Sequence, residues 1–95
     1  MQIPSTLKIL AHEYAVEMDP NLMLTSDSMG SCCSNVLQIK IAGGIPESNQ
    51  ADALLHEIIE ALKYQLELPF DHRDISALAA SLLSVIRDND LDFRV

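Results

Sequence analysis

His56 and Glu60 lie four residues apart, within a run whose apolar residues recur with the spacing of an amphipathic helix. Residues at this spacing project from the same face of a helix, so both side chains can meet one metal ion. Glu57 lies about 100° around the helix from His56, where a carboxylate can reach a water beside the ion without ligating the ion. The spacing therefore predicts a metal site on a helix, with Glu57 as the catalytic base.

A catalytic zinc site needs at least three protein ligands, and the sequence that follows supplies two candidates, His72 and Asp74. Both lie in the first turn of a second predicted helix. Helical geometry, at about 100° per residue, turns His72 towards the first helix and leaves Asp74 at the margin of the apolar stripe. His56, Glu60 and His72 would provide two imidazoles and one carboxylate, the donor set of the common His-His-Glu zinc site. We therefore expect zinc as the cofactor, with Asp74 as the alternative third ligand.

The same residues also have ordinary structural explanations that require no metal. Glu60 lies three residues before Lys63, and the two can form a surface ion pair. His72 can be a half-buried residue packed against Ile75, and Asp74 is an anion of the kind that a helix N-terminus favours. These alternatives predict that the protein takes up no metal ion at any pH.

The elements that must position these residues follow from a single change of hydrophobic period near residue 46. Before it, short apolar or alternating stretches predict three strands, at residues 7–10, 13–18 and 36–41, with a loop over 25–34. After it, two amphipathic stripes predict two helices separated near Pro69, the second capped by Asp71. We expect an α+β fold with a short antiparallel three-stranded sheet followed by two C-terminal helices. The predicted core between the helices consists of Leu55, Ile59, Leu62, Leu78, Leu82 and Ile86.

Length and composition narrow the classes of protein. The 95 residues predict one domain over residues 1–95. Six basic against 14 acidic residues give a net charge of -8, which argues against nucleic acid as a partner. No run of about 18 apolar residues predicts a membrane span, and the adjacent Cys32 and Cys33 do not suit a structural disulfide. We expect a soluble, cytoplasmic protein.

The segment ALLHEIIEAL at residues 53–62, with the later VIRDN at residues 85–89, resembles small phage and prophage proteins of the minimal zincin type. These proteins are similar to reduced forms of the ImmA/IrrE metallopeptidases, and the resemblance extends over nearly the whole chain. It implies three strands followed by two helices, with His56 as a metal ligand and Glu57 as general base. Glu60 replaces the second histidine of the family's HExxH motif, giving a degenerate HExxE. The family's acidic third ligand would fall on Asp74.

Three functions are compatible with this pattern. The first is a zinc-dependent, peptidase-like protein of phage or prophage type, with a peptide or protein substrate held along the edge of the sheet. The second is a catalytically inactive zincin-fold module that binds or regulates another protein. The third is a helix-pair protein that dimerises through its apolar stripes. The sequence leaves the substrate, the partner and the oligomeric state open.

Overall fold

A four-stranded mixed sheet forms one layer of the structure, a computed structural model that describes residues 2–94. The strands are β1 (Thr6–Ile9), β2 (His12–Asp19), β3 (Gly30–Cys33) and β4 (Gln38–Ala42). Their order in the sheet is β1-β2-β4-β3, where β1 pairs antiparallel with β2, β2 pairs parallel with β4, and β4 pairs antiparallel with β3. Strands β1 and β3 are therefore at the edges of the described sheet.

The expected α+β class is confirmed, but the expected three-stranded antiparallel sheet is wrong in detail. Strand β3 lies inside the segment expected to be a loop, because Gly-Ser-Cys-Cys has no apolar alternation that would mark a strand. Pairing with β4 fixes it, with Gly30 opposite Ile41 and Cys32 opposite Ile39. Parallel pairing of β2 with β4 requires a crossover, which β3 and a short helix, α1 (Leu22–Ser26), provide.

Two longer helices follow, α2 (Glu47–Leu66) and α3 (His72–Asp88), as the apolar spacing predicts. Helix α2 ends at Leu66, and the next residue, Glu67, adopts the left-handed conformation and donates its backbone N–H to the Lys63 carbonyl. Asp71 caps α3: its carboxylate accepts from the Asp74 N–H, while the Asp74 carboxylate accepts from the Asp71 N–H. Within residues 2–94, the helices lack the combination of length and apolar character needed to cross a membrane.

The core lies between one face of the sheet and α2. Alternate residues of β2 and β4 point into it, while Ala15 and Glu17 face the opposite, exposed side of the sheet. Burial of this apolar area is the main stabilising contribution in a domain of this size. The buried members of this cluster are Ile9, Tyr14, Val16, Ile39, Ile41, Ala53, Leu54 and Ala61.

A second, smaller cluster joins α2 to α3. Ile59, Ile75 and Ala79 are buried in it, and Leu55 and Phe70 pack against it. Leu78 and Leu82 are 37% and 45% exposed, so their assignment to the core was wrong. The contact with α2 is centred on Ile75 and Ala79, which leaves the other flank of the apolar stripe facing solvent.

Candidate metal centre

Along one face of helix α2 lie three polar residues, each one turn from the next: Asp52, His56 and Glu60. The neighbouring positions Ala53, Leu54 and Ala61 are held against the sheet, and this fixes the rotation of the helix. His56 and Glu60 are thereby turned into a cleft, with His56 Nε2 3.8 Å from Glu60 Oε1. The one-turn spacing thus places an imidazole and a carboxylate together.

His72 reaches the same point from the start of α3. Phe70, two residues earlier, packs against the buried cluster of Ile59 and Ile75. This contact holds the turn between the helices in place just before His72. The rings of His56 and His72 lie 5.0 Å apart between centroids and are tilted by 54°. His72 therefore faces α2, as its helical position predicts, and its Nε2 lies 3.5 Å from the Ser76 hydroxyl.

His56, Glu60 and His72 each offer one donor atom, and the three atoms lie within 4.8 Å of one another. Tetrahedral zinc with bonds of about 2.0 to 2.2 Å places its ligands about 3.3 to 3.6 Å apart. The spacing of His56 from Glu60 is close to this, and His72 is exposed and can rotate. Two imidazole nitrogens and one carboxylate oxygen therefore fit zinc in chemistry and nearly in geometry.

Asp74, the alternative third ligand, lies outside this cluster and serves the N-terminus of α3. Its Oδ2 accepts a hydrogen bond of 3.0 Å from the Asp71 backbone. The expected pairing of Glu60 with Lys63 also differs from the structure. Within residues 2–94, no ion pair joins Glu60 to Lys63, and the Glu60 carboxylate instead lies 3.8 Å from His56 Nε2. Glu60 is therefore oriented towards the two histidines.

Glu57 is only 6% exposed, although its side chain is ionisable. It points towards the edge strand β3, where Gly30 leaves room for it: a Cβ at Gly30 would lie 2.9 Å from Glu57 Oε2 and 3.0 Å from its Cγ. Burial, with a smaller contribution from the charge of Glu60, raises the pKa of Glu57 to about 7. A carboxyl that titrates near neutral pH suits a general base.

His56 is electrostatically suited to bind a cation. Burial lowers the pKa of its imidazole, and His72 lowers it further, while Glu60 and Asp52 oppose the shift. The neutral imidazole is therefore favoured, and only the neutral form has a nitrogen lone pair to donate to a metal.

These residues line an open cleft of about 510 Å³ between α2, the start of α3 and the segment that leads into β3. Sequence reasoning missed Asp52, although it lies one helical turn before His56 and the same spacing argument could have found it. It also missed the β3 side, which depends on strand pairing distant in sequence. Asp27, Ser28 and Met29, which precede β3, and Cys32 within it also line the cleft.

Cys32 brings a thiol to the β3 side of the cleft. Its Sγ lies 3.6 Å from the Ser34 hydroxyl, and Tyr14 donates a hydrogen bond of 2.9 Å to that hydroxyl. Burial raises the pKa of the Cys32 thiol, against the lowering effect of its hydrogen bond with Ser34. A neutral thiol is a poor metal ligand, so the imidazoles and Glu60 remain the better donors.

Together these residues define a class of site: two imidazoles and a carboxylate from two helices, beside a buried carboxyl and an edge strand. No protein-family model, curated protein or solved structure matches the chain. The function is therefore argued from the chemistry of the site.

Proposed function

We propose that this protein is a zinc-dependent peptidase of the minimal zincin type. The observation that carries the proposal is the convergence of His56, Glu60 and His72, from two helices, beside the buried Glu57. A chance cluster of polar residues on one helix face would not account for the third donor, which comes from the start of α3.

Each residue has a definite task in this proposal. His56, Glu60 and His72 would hold the ion, and zinc would supply a Lewis acid that polarises the scissile carbonyl. Glu57 accepts a proton from the attacking water and passes it to the departing amine. Its burial against Gly30 keeps the carboxyl fixed at one side of the cleft.

The edge strand β3 is the proposed support for the substrate. It is the last strand in the sheet order, so β4 pairs with one of its edges and the other edge is unpaired within the described sheet. An extended peptide can add to such an edge through backbone hydrogen bonds. Gly30 and Cys32 lie on this strand and line the cleft, so an added peptide would pass beside His56 and Glu57.

A peptide-library digestion with zinc-loaded protein, read by mass spectrometry, tests this proposal. We expect cleavage products from the wild type and none from Glu57→Gln, which should still bind zinc. Glu13→Gln is the matched control, because Glu13 is exposed on β2 and has no place in the cleft. Cleavage that persists in Glu57→Gln would refute the assigned base, and an inactive zinc-loaded wild type would refute the peptidase.

The second candidate is a zincin-fold module that binds another protein without turnover. It is favoured by Leu78, Leu82 and Val85 of α3, which are large apolar residues exposed on one side of the helix. This function predicts zinc-loaded protein that cleaves nothing but associates with itself or a partner. Light scattering of the wild type against Leu82→Ser would detect self-association through this surface.

A further inference from the structure

Asp52 has a buried polar atom that the fold leaves without a partner. Its Oδ1 is shielded from solvent and has no hydrogen-bond partner among the described residues. Buried carboxylate oxygens are nearly always hydrogen-bonded, so one without a partner calls for an explanation. Asp52 lies one turn before His56 on the same face of α2, and both residues line the cleft.

The orientation of His56 shows what the partner can be. Its Nε2 faces Glu60 at 3.8 Å, so Nε2 is the nitrogen on the side of the proposed ligands and Nδ1 remains available. Histidines that ligate a metal usually donate their other ring N–H to a carboxylate or a carbonyl, which fixes the tautomer and the plane of the ring. A free carboxylate oxygen on the preceding turn can provide that acceptor.

Asp52 is placed to act on His56 and not on the ion. The cluster of donor atoms that lie within reach of one ion consists of His56, Glu60 and His72 and does not include Asp52. Asp52 nevertheless lies beside His56, one turn earlier on α2 and on the wall of the same cleft. A carboxylate that lies beside a ligating histidine, but is not itself a ligand, is the usual hydrogen-bond partner of that histidine.

We propose that Asp52 is a positioning residue, which accepts a hydrogen bond from His56 Nδ1–H when the Nε2 atom holds the ion. The inference rests on the proposed metal site. The His56 Nδ1–H would then supply the hydrogen bond that the buried Asp52 Oδ1 lacks.

Zinc affinity, measured by competition with a chromophoric chelator, tests this role in the full chain. We expect Asp52→Ala to weaken zinc binding by about 10- to 100-fold, and Asp52→Asn, which keeps an acceptor oxygen, to weaken it less. Asp27→Asn is the matched control, because it removes the same charge from the same cleft and asparagine tolerates the left-handed backbone of this position, where φ is 50°. That variant should stay within about threefold of the wild type, since an exposed charge acts only through a screened field.

Long-range ¹H–¹⁵N spectra of the histidines in the zinc-loaded protein test the proposed hydrogen bond directly. If Asp52 only stabilised the fold, its substitution would leave the exchange of the His56 Nδ1 proton unchanged. In the wild type we expect a His56 ring with zinc at Nε2 and a slowly exchanging Nδ1 proton, and in Asp52→Ala a proton that exchanges fast. Circular dichroism of both Asp52 variants before loading controls for folding, and the isosteric Asp52→Asn keeps the test valid if the alanine variant unfolds.

Two results would overturn the inference alone: wild-type zinc affinity in Asp52→Ala, or an equal loss of zinc affinity in Asp27→Asn. Wild-type protein that takes up no zinc would overturn the metal site and this inference together. The two failures are thus distinguishable by the behaviour of the wild type.

Discussion

At the scale of single residues, the two candidates for the third ligand have separate tasks in the structure. His72 faces His56 across the cleft, whereas Asp74 completes the capping box of α3. The spacing of the sequence could place His56 and Glu60 together because helical geometry is local. The spacing left both His72 and Asp74 as candidates for the third ligand, because the angle at which α3 meets α2 depends on tertiary packing.

Alanine substitutions at these two positions should therefore change different quantities, zinc affinity at His72 and the free energy of unfolding at Asp74. His72→Ala removes one of three ligands, so we expect zinc affinity to fall at least tenfold with little change in the stability of the metal-free protein. Asp74→Ala removes a cap, so we expect a loss of about 1 kcal/mol in the free energy of unfolding with zinc affinity preserved. Chelator competition and urea denaturation measure the two quantities. A loss of zinc affinity in Asp74→Ala alone would make it the third ligand.

Glu57 should make the stability of the metal-free protein depend on pH. Its pKa in the folded state is about 7, against an ordinary value of 4.5, so between these values the folded state holds a proton that the unfolded state releases. The free energy of unfolding should therefore fall as the pH rises from about 4.5 to about 7, and then level off. At 1.36 kcal/mol per pKa unit, the loss is on the order of 3 kcal/mol.

Glu57→Gln removes this titration, so its pH dependence should be flatter than that of the wild type by this amount. Urea denaturation in the presence of a chelator, at about pH 5 and about pH 8, measures the difference. Parallel pH profiles for the two proteins would show that Glu57 is not held in a desolvating environment.

At the scale of elements, helices α2 and α3 were predictable and the edge strand was not. Repeating apolar residues determine both helices, and Asp71 marks the start of the second. Strand β3 depends on pairing with β4 and on the closeness of Gly30 to Glu57, neither of which appears in its own four residues. The elements that carry the ligands were therefore accessible to sequence reasoning, and the element that closes the cleft was not.

Gly30→Ala tests the contact between β3 and α2. The added methyl would lie 2.9 Å from Glu57 Oε2, so the carboxyl must move. We expect the proposed peptide cleavage to fall at least tenfold, because displacement of a reacting group by about 1 Å can cost about 100-fold. Zinc affinity should stay within about threefold, since the three ligands do not touch this glycine.

Gly43→Ala is the matched control for this variant. A Cβ there would lie 3.5 Å from the Pro20 backbone, which is ordinary van der Waals contact. If both alanine variants lose activity equally, the loss reflects the stability of the sheet and not the position of Glu57.

Truncation of side chains in helix α3 should be tolerated on its exposed face and destabilising on the face that packs against α2. Ile75 is fully buried between the helices, so Ile75→Ala should cost about 2 to 5 kcal/mol of unfolding free energy. Leu82 is 45% exposed, so Leu82→Ala should cost less than about 1 kcal/mol, contrary to its expected place in the core. Urea melts of the two variants give the comparison. Equal losses would show that Leu82 is covered in solution.

At the scale of the whole molecule, the net charge and the candidate site both favour the binding of a cation. A chain with a net charge of -8 attracts cations and repels polyanions. Asp52, Glu57 and Glu60 bring three carboxyl groups to one cleft, with no lysine or arginine among its described lining residues. A divalent cation bound there would be stabilised by its ligands and by this surrounding charge.

The most direct test is a calorimetric zinc titration of chelator-stripped protein near pH 7.5, with His56→Ala measured alongside the wild type. The structure predicts one zinc ion per chain in the wild type and none in the variant. Affinity should fall as the pH drops into the range where imidazoles take up protons, because only neutral histidine binds a metal. Wild-type protein that takes up no zinc, or a His56→Ala variant that binds as well as the wild type, would contradict a metal centre at His56, Glu60 and His72.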